Sequence, residues 1–375
     1  MFWLALAGAA IFCITYFYLP GEDLRAYDAI VGERFDLGDH SAKERTEVEL
    51  ALANGPRSIN PKSQKERVRL MREYMDAIPD TQEIDAHITP VDVDGISAEW
   101  VLAPGVDPSR RFLYIHGGAF MMGSPKSHRN ITSAFSRVAN AAVLAIDYRL
   151  MPENPRLAGV KDCRHAYTWL LSNGPDSPDN PLPLNPAAIF VAGDSAGGNL
   201  ALMLIQWIRD QGLRQVDAAV ALSPVTDATF SAPSLQTNLA SDTMLGPMFE
   251  KVLRVPRPLL LWAGLIQNRS SPSDPVISPV YGDLAGLPPT LLHASETEVL
   301  FDDSQRYVNK AAAAGSPVHL QAWNNMPHVW HMFYPQLPEA RAAWQAIEQF
   351  FSELPSTIKN NAEEADGPDK AKAAA

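Results

Sequence analysis

The chain has 375 residues, of which 46% are hydrophobic and 20% charged, enough to bury the core of one large α/β domain with additions. Its formal net charge of −12 repels a phosphate backbone, so nucleic acid is not an expected partner. The cysteines are Cys13, in an apolar N-terminal run, and Cys163, in a helical pattern, which excludes a disulfide framework.

Phe2 to Leu19 carries no charge and is almost entirely apolar. As one helix it would span about 27 Å, just enough to cross a bilayer. No basic residues precede it, and Tyr16-Phe17-Tyr18-Leu19-Pro20 ends it without a small-x-small cleavage site. An uncleaved membrane anchor over residues 1–20 is therefore expected ahead of a cleaved signal or a helix packed on the protein. The acidic Glu22-Asp23 points weakly to export of the main domain.

Residues 21–85 read as polar and helical, with Val68, Met71, Met75 and Ile78 at helical spacing. Strands follow. Ile88–Val91 and Ser97–Leu102 flank Asp94-Gly95 and read as a hairpin. Phe112–Ile115, Ala142–Ile146, Ala188–Ala192, Ala218–Leu222, Thr290–His293 and Val318–Trp323 complete a set of eight strands. Most are short continuous apolar runs, as parallel strands buried on both faces require. Helical patterns alternate with them at 127–140, 158–172, 199–209, 302–314 and 338–351. The alternation predicts a mostly parallel, eight-stranded, doubly wound α/β sheet over residues 86–355. Residues 21–85 and 227–285 stand outside it and read as helical caps over a site, ordinary edge packing being the alternative. The tail from 356 to 375, with Glu363-Glu364-Ala365-Asp366 and an alanine-lysine end, reads as disordered.

Two motifs carry chemistry. Gly193-Asp194-Ser195-Ala196-Gly197 follows an apolar strand and precedes a helix, the setting of a strained nucleophile elbow. His116-Gly117-Gly118-Ala119-Phe120 follows another strand, where glycines let backbone N–H groups approach a substrate oxygen. Serine needs a base, the base needs an orienting acid, and the developing oxyanion needs donors. The expected donors are the N–H groups of Gly117, Gly118 and Ala196. The expected base is His328, on a loop after the last strand, with His331 as competitor. The acid should follow Thr290–His293, where Glu296, Glu298, Asp302 and Asp303 qualify. Glu298 lies mid-loop and is preferred over Asp302, because the two aspartates read as the first turn of a helix. Such a base should lose activity as it protonates, below about pH 6 to 7.

With these residues in place, the chain resembles the hormone-sensitive-lipase-like branch of the α/β-hydrolase esterases over roughly residues 85–352. The resemblance rests on Tyr114 to Phe120, Asp147-Tyr148-Arg149-Leu150 with Pro152-Glu153, Gly193 to Asn199, Ser278-Pro279-Val280-Tyr281, Asp302-Asp303-Ser304 and Met326 to Trp330. It implies hydrolysis of small to medium carboxylic esters without cofactor or metal, and an N-terminal helical cap matching residues 21–85. It also puts the triad acid at Glu298, where aspartate is the commoner residue, and gives Asp147 and Asp194 structural roles. The apolar caps point to an acyl chain, lactone or aromatic ester as the small-molecule substrate. Lactone or amide hydrolysis by the same residues, or a non-catalytic receptor on the same fold, are the rival readings.

Overall fold

Alternation along each central strand builds the core. In the computed structural model, which describes residues 2–29, 32–38, 42–54, 61–78, 83–175 and 185–354, Phe112 and Tyr114 face one side of their strand while Leu113 and Ile115 face the other. The tail predicted from residue 356 lies outside the described residues.

The strands are β1 (Glu33–Phe35), β2 (His87–Val93), β3 (Ile96–Leu102), β4 (Arg110–Ile115), β5 (Ala142–Ile146), β6 (Ala188–Asp194), β7 (Ala218–Leu222), β8 (Thr290–Ser295) and β9 (Val318–Trp323). They form one sheet in the order β1-β9-β8-β7-β6-β4-β5-β3-β2. The β2–β3 hairpin turns at Asp94-Gly95, both with positive φ, and pairs antiparallel onto β5, whereas every other pairing is parallel. The helices are α1 (Phe2–Cys13), α2 (Ala42–Asn54), α3 (Gln64–Ala77), α4 (Arg129–Ala139), α5 (Arg156–Leu170), α6 (Ala196–Asp210), α7 (Ser234–Thr237), α8 (Gly246–Val252), α9 (Arg257–Asn268), α10 (Phe301–Ala313) and α11 (Pro338–Ser352). Helices α5, α6 and α10 cover one face of the sheet, and α4 and α11 the other. On the second face aromatic rings interlock: Phe112 lies 4.9 Å from Phe135, and Phe190 5.0 Å from Phe351.

The sheet has nine strands rather than eight. The extra strand, β1, runs parallel to β9, and Phe35 stacks on Trp323 at 4.5 Å between ring centroids. Its three residues, Glu33-Arg34-Phe35, carry two charges and no alternation long enough to read. Only the exposed edge of β9 selects them.

The apolar N-terminal run is helical from Phe2 to Tyr18. It is divided into the twelve-residue α1 and a π-helical turn, Ile14–Tyr18. The Thr15 hydroxyl donates to the Ile11 carbonyl (2.7 Å) and accepts from the Trp262 indole of α9 (2.9 Å). The chain then buries Leu19 and Leu24 against the body. No helix among the described residues is long and apolar enough to cross a membrane. From there the backbone runs along α10, where Arg306 pairs with Asp28 (2.5 Å) and Asn309 donates to the Tyr27 carbonyl (2.8 Å).

Beyond Tyr27 the expected helices are present as α2 and α3. Ser63 caps α3 by accepting from the Glu66 N–H (3.1 Å), and the Glu66 carboxylate turns back to the Lys62 N–H (2.6 Å). Residues 227–285 contain α7, α8 and α9, with Ala232 and Leu235 packing on Val299 and Leu300.

Candidate active site

The strand order reverses at β4. Chain leaving β4 crosses to β5 on one side, and chain leaving β5 returns to β6 on the other. In open parallel sheets such a switch point opens a crevice at the carboxyl ends of the two strands. Ile115 of β4 is registered beside Gly193 of β6, so the loops carrying the two motifs emerge side by side.

Ser195 sits at that crevice, the turn between β6 and α6, with φ 53° and ψ −115°. Such a backbone is strained for a residue with a side chain, and it persists because its surroundings hold it. The Ser195 N–H donates to the Leu222 carbonyl (2.7 Å), and its own carbonyl accepts from Asn199 N–H (3.1 Å). A Cβ on Gly193 would collide with the Gly197 carbonyl, and one on Gly197 with the Ile115 carbonyl. The two glycines therefore allow the close backbone crossing on which the elbow depends.

His328 lies on the loop after β9, buried, with Nδ1 2.6 Å from Glu298 Oε2. Among the described residues its Nε2 meets no hydrogen-bond partner. Glu298 is fully buried, and its other oxygen accepts the Ser295 N–H (2.9 Å). Burial alone would lower the histidine pKa. The hydrogen bond and charge of Glu298, with Asp242 and Asp194 behind them, outweigh it and raise His328 above its ordinary 6.5. The acid limb of any reaction needing neutral His328 therefore moves up from the pH 6 to 7 expected of an unperturbed histidine.

The other acid candidates are engaged elsewhere. Glu296 pairs with Arg34 (2.9 Å), Asp302 accepts the Ser234 N–H (2.7 Å), and Asp303 accepts those of Thr226 (2.6 Å) and Asp227 (2.9 Å). His331 is likewise diverted. Its Nε2 lies 2.9 Å from Nδ1 of His293, and burial, then the neighbouring His293, hold it well below the usual histidine range. Two residues that the sequence did not single out brace the acid loop: Asp242 accepts the Val299 N–H (2.9 Å), and the Asn238 amide donates to the carbonyls of Glu296 and Glu298 (both 2.9 Å).

The glycine-rich loop corrects one expectation. The Gly117 N–H points away from the crevice and donates to Asp194 Oδ1 (2.8 Å), so it is not free for an oxyanion. Asp194 also accepts the Tyr114 hydroxyl (2.5 Å), and its Oδ2 lies 3.5 Å from His128 Nε2. Burial would raise its pKa, but His128, Tyr114 and the Gly117 N–H together lower it. His116, beside this group, is kept neutral: burial, then the charge of His128, pushes it down to about 3. The N–H groups of Gly118, Ala119 and Ala196 meet no acceptor among the described residues. Ala119, which sequence reading passed over in favour of the glycines, adopts φ 54° here. Gly117 is glycine because a Cβ there would collide with Asp194 Oδ2. Gly117→Ala is expected to lower kcat by about tenfold to a hundredfold together with Tm, because overpacking displaces the loop. Unchanged kinetics and melting would contradict this account.

Helix α3 holds the loop from outside. Arg72 donates to the Met121 carbonyl (2.7 Å), to the Met151 carbonyl (2.9 Å) and to Glu153 (2.9 Å), while Asp76 accepts the Ser124 hydroxyl (2.5 Å). Arg72→Met should lower kcat by about tenfold with KM little changed, since a loosened loop weakens transition-state contacts more than ground-state binding. A rise in KM with kcat constant would show instead that Arg72 serves binding. A cavity of 260 Å³ lies beside the acid and histidine loops, lined by Arg45, Thr46 and Glu49 of α2 and by Thr297, Met326 and Pro327.

Comparison with known proteins agrees with this geometry. Residues 112–332 match a family described as the alpha/beta hydrolase fold. The chain is 39% identical to an acetyl-hydrolase of Streptomyces hygroscopicus over 265 residues, covering 69% of this chain and 81% of the relative. It is 34% identical to the carboxylesterase/phospholipase LipF of Mycobacterium tuberculosis over 266 residues, 70% of this chain and 68% of that one. A solved esterase from the bacterial hormone-sensitive lipase family superposes with a TM-score of 0.71 at 32% identity, covering 83% of this chain and 98% of that one. Fold and relatives together define a carboxylic ester hydrolase. The chain belongs to the α/β-hydrolase fold family, among its hormone-sensitive-lipase-like esterases.

Proposed function

We propose that the chain is a serine carboxylesterase for small to medium acyl esters, with Ser195 as nucleophile, His328 as base and Glu298 as the orienting acid. The observation that carries this reading is the buried 2.6 Å contact between Glu298 and His328 Nδ1, with Nε2 meeting no hydrogen-bond partner among the described residues. Ser195 Oγ attacks the acyl carbonyl as its proton passes to His328 Nε2. The carbonyl oxygen takes the negative charge and is held by the N–H groups of Gly118, Ala119 and Ala196, in place of the Gly117 N–H. The tetrahedral intermediate collapses, its C–O bond to the alcohol breaks, and His328 returns the proton to the departing oxygen. Water then loses a proton to His328 and attacks the acyl-enzyme, releasing acid and restoring Ser195.

In this reading residues 21–85 and 227–285 are the caps of an α/β-hydrolase domain spanning 86–355. The first presses α3 on the oxyanion loop, and the second braces the acid loop through Asn238 and Asp242. The names of its relatives, an acetyl-hydrolase and a carboxylesterase/phospholipase, favour ester over lactone or amide substrates. The test is hydrolysis of p-nitrophenyl esters from acetate to laurate. Turnover peaking at short to medium chains is expected. Folded protein inactive on every ester but active on lactones or amides would replace this reading, and protein inactive on all of them would favour a non-catalytic receptor.

A further inference from the structure

The apolar surface of this molecule is unevenly distributed. Among the described residues, the large apolar side chains left exposed lie, apart from Leu37 and Leu50, in just two segments, 6–18 and 244–266. The Thr15–Trp262 hydrogen bond (2.9 Å) and the Ser273 hydroxyl on the Tyr18 carbonyl (3.1 Å) tie these segments together. On α9 the buried Leu261 faces inward, whereas Leu259, Ala263 and Ile266 form an outward stripe at i, i+4 and i+7. On α1, Leu6, Ile11 and Phe12 are all exposed, although at 3.6 residues per turn they point in three different directions.

A second protein copy covers one face of a helix. A helix that is apolar all round needs a medium that surrounds it, which a fluid hydrocarbon does. Charge makes the same choice. Residues 2–21 carry no charged side chain, nor does α9 between Arg257 and Arg269, while the chain as a whole carries −12. Such a surface matches uncharged acyl chains, whereas anionic headgroups repel the net negative charge of the chain. Tyr16 and Tyr18, where α1 meets the body, sit where aromatic rings settle at headgroup depth.

We propose that α1 and the outer stripe of α9 form one surface that inserts into the hydrocarbon of a neutral lipid bilayer and anchors the enzyme there. The proposal is independent of the catalytic reading, which a soluble ester reports separately in the same samples. The experiment is flotation of the full chain with phosphatidylcholine vesicles, beside Phe17→Asp and Ile266→Asp. Both side chains are 73% exposed, so folding should tolerate either change. The wild type should float, and salt raised to about 0.5 M should not release it. Each variant should lower partition by about tenfold, since each removes one apolar side chain from lipid and adds a charge. Turnover of soluble p-nitrophenyl butyrate should be unchanged in all three. Wild-type partition by Ile266→Asp would overturn the joint surface. So would a wild type that fails to float, or one that instead forms a dimer dissociated by Ile266→Asp.

Discussion

Ser195→Ala should lower kcat on p-nitrophenyl butyrate by about 10⁴- to 10⁶-fold, and His328→Ala by a similar factor. The double variant should be scarcely worse than either single one, because nucleophile and base act as a unit. Residual turnover above water would come from the oxyanion donors and binding, which neither change touches. KM should move little, since the serine hydroxyl matters mainly in the transition state. A Ser195→Ala enzyme within tenfold of wild type would remove Ser195 from the chemistry. Fully additive effects in the double variant would show that the two residues serve different steps.

Glu298→Gln should cost about 10³- to 10⁴-fold in kcat, because an amide favours the wrong imidazole tautomer and cannot stabilise the cation. The change in pH dependence is more diagnostic. Glu298 heads the influences that raise His328 above 6.5 against the opposing effect of burial. The wild-type kcat/KM should therefore begin to fall at a pH above 6.5 as acid protonates His328. In Glu298→Gln the same limb should move down, since burial then acts with less opposition. The linked stability has the opposite sense. A histidine whose folded pKa is raised contributes stability that is complete below its unfolded value and lost as pH rises through the folded one. The variant should accordingly lose more stability on the acid side of neutrality than at alkaline pH. An acid limb that stays put in Glu298→Gln would assign the raised pKa to Asp242 or Asp194 instead.

Much of this was legible before folding. Each central strand was readable because burial on both faces demands an unbroken apolar run, as Val191 and Leu144 illustrate. The elbow was readable because its requirements are local: a strand, two glycines that permit a backbone crossing, a serine and a helix start. Chain order favoured His328 over His331 as the base, and the pairing of His331 with His293 could not be foreseen.

What escaped depends on partners distant in the chain. The acid was a choice among four carboxylates within eight residues, all of one chemical type. The contact that favours Glu298 comes from the meeting of the loops after β8 and β9, thirty residues apart, with Asp242 and Asn238 closing over the acid loop. The Gly117 N–H was assigned to the substrate because glycine permits close approach, but sequence does not say to what. Asp194, 77 residues on, takes it and leaves Ala119 beside the crevice. Strand β1 exists only because β9 has a free edge. The N-terminal run is apolar in sequence, and only the fold brings its Thr15 hydroxyl to the Trp262 indole, 247 residues on. The amino-acid order thus determined the central strands, the helices between them and the elbow, because those follow from local burial and backbone sterics. The tertiary structure alone decided which groups face one another, because a hydrogen bond across dozens of residues leaves no periodicity in the chain that makes it.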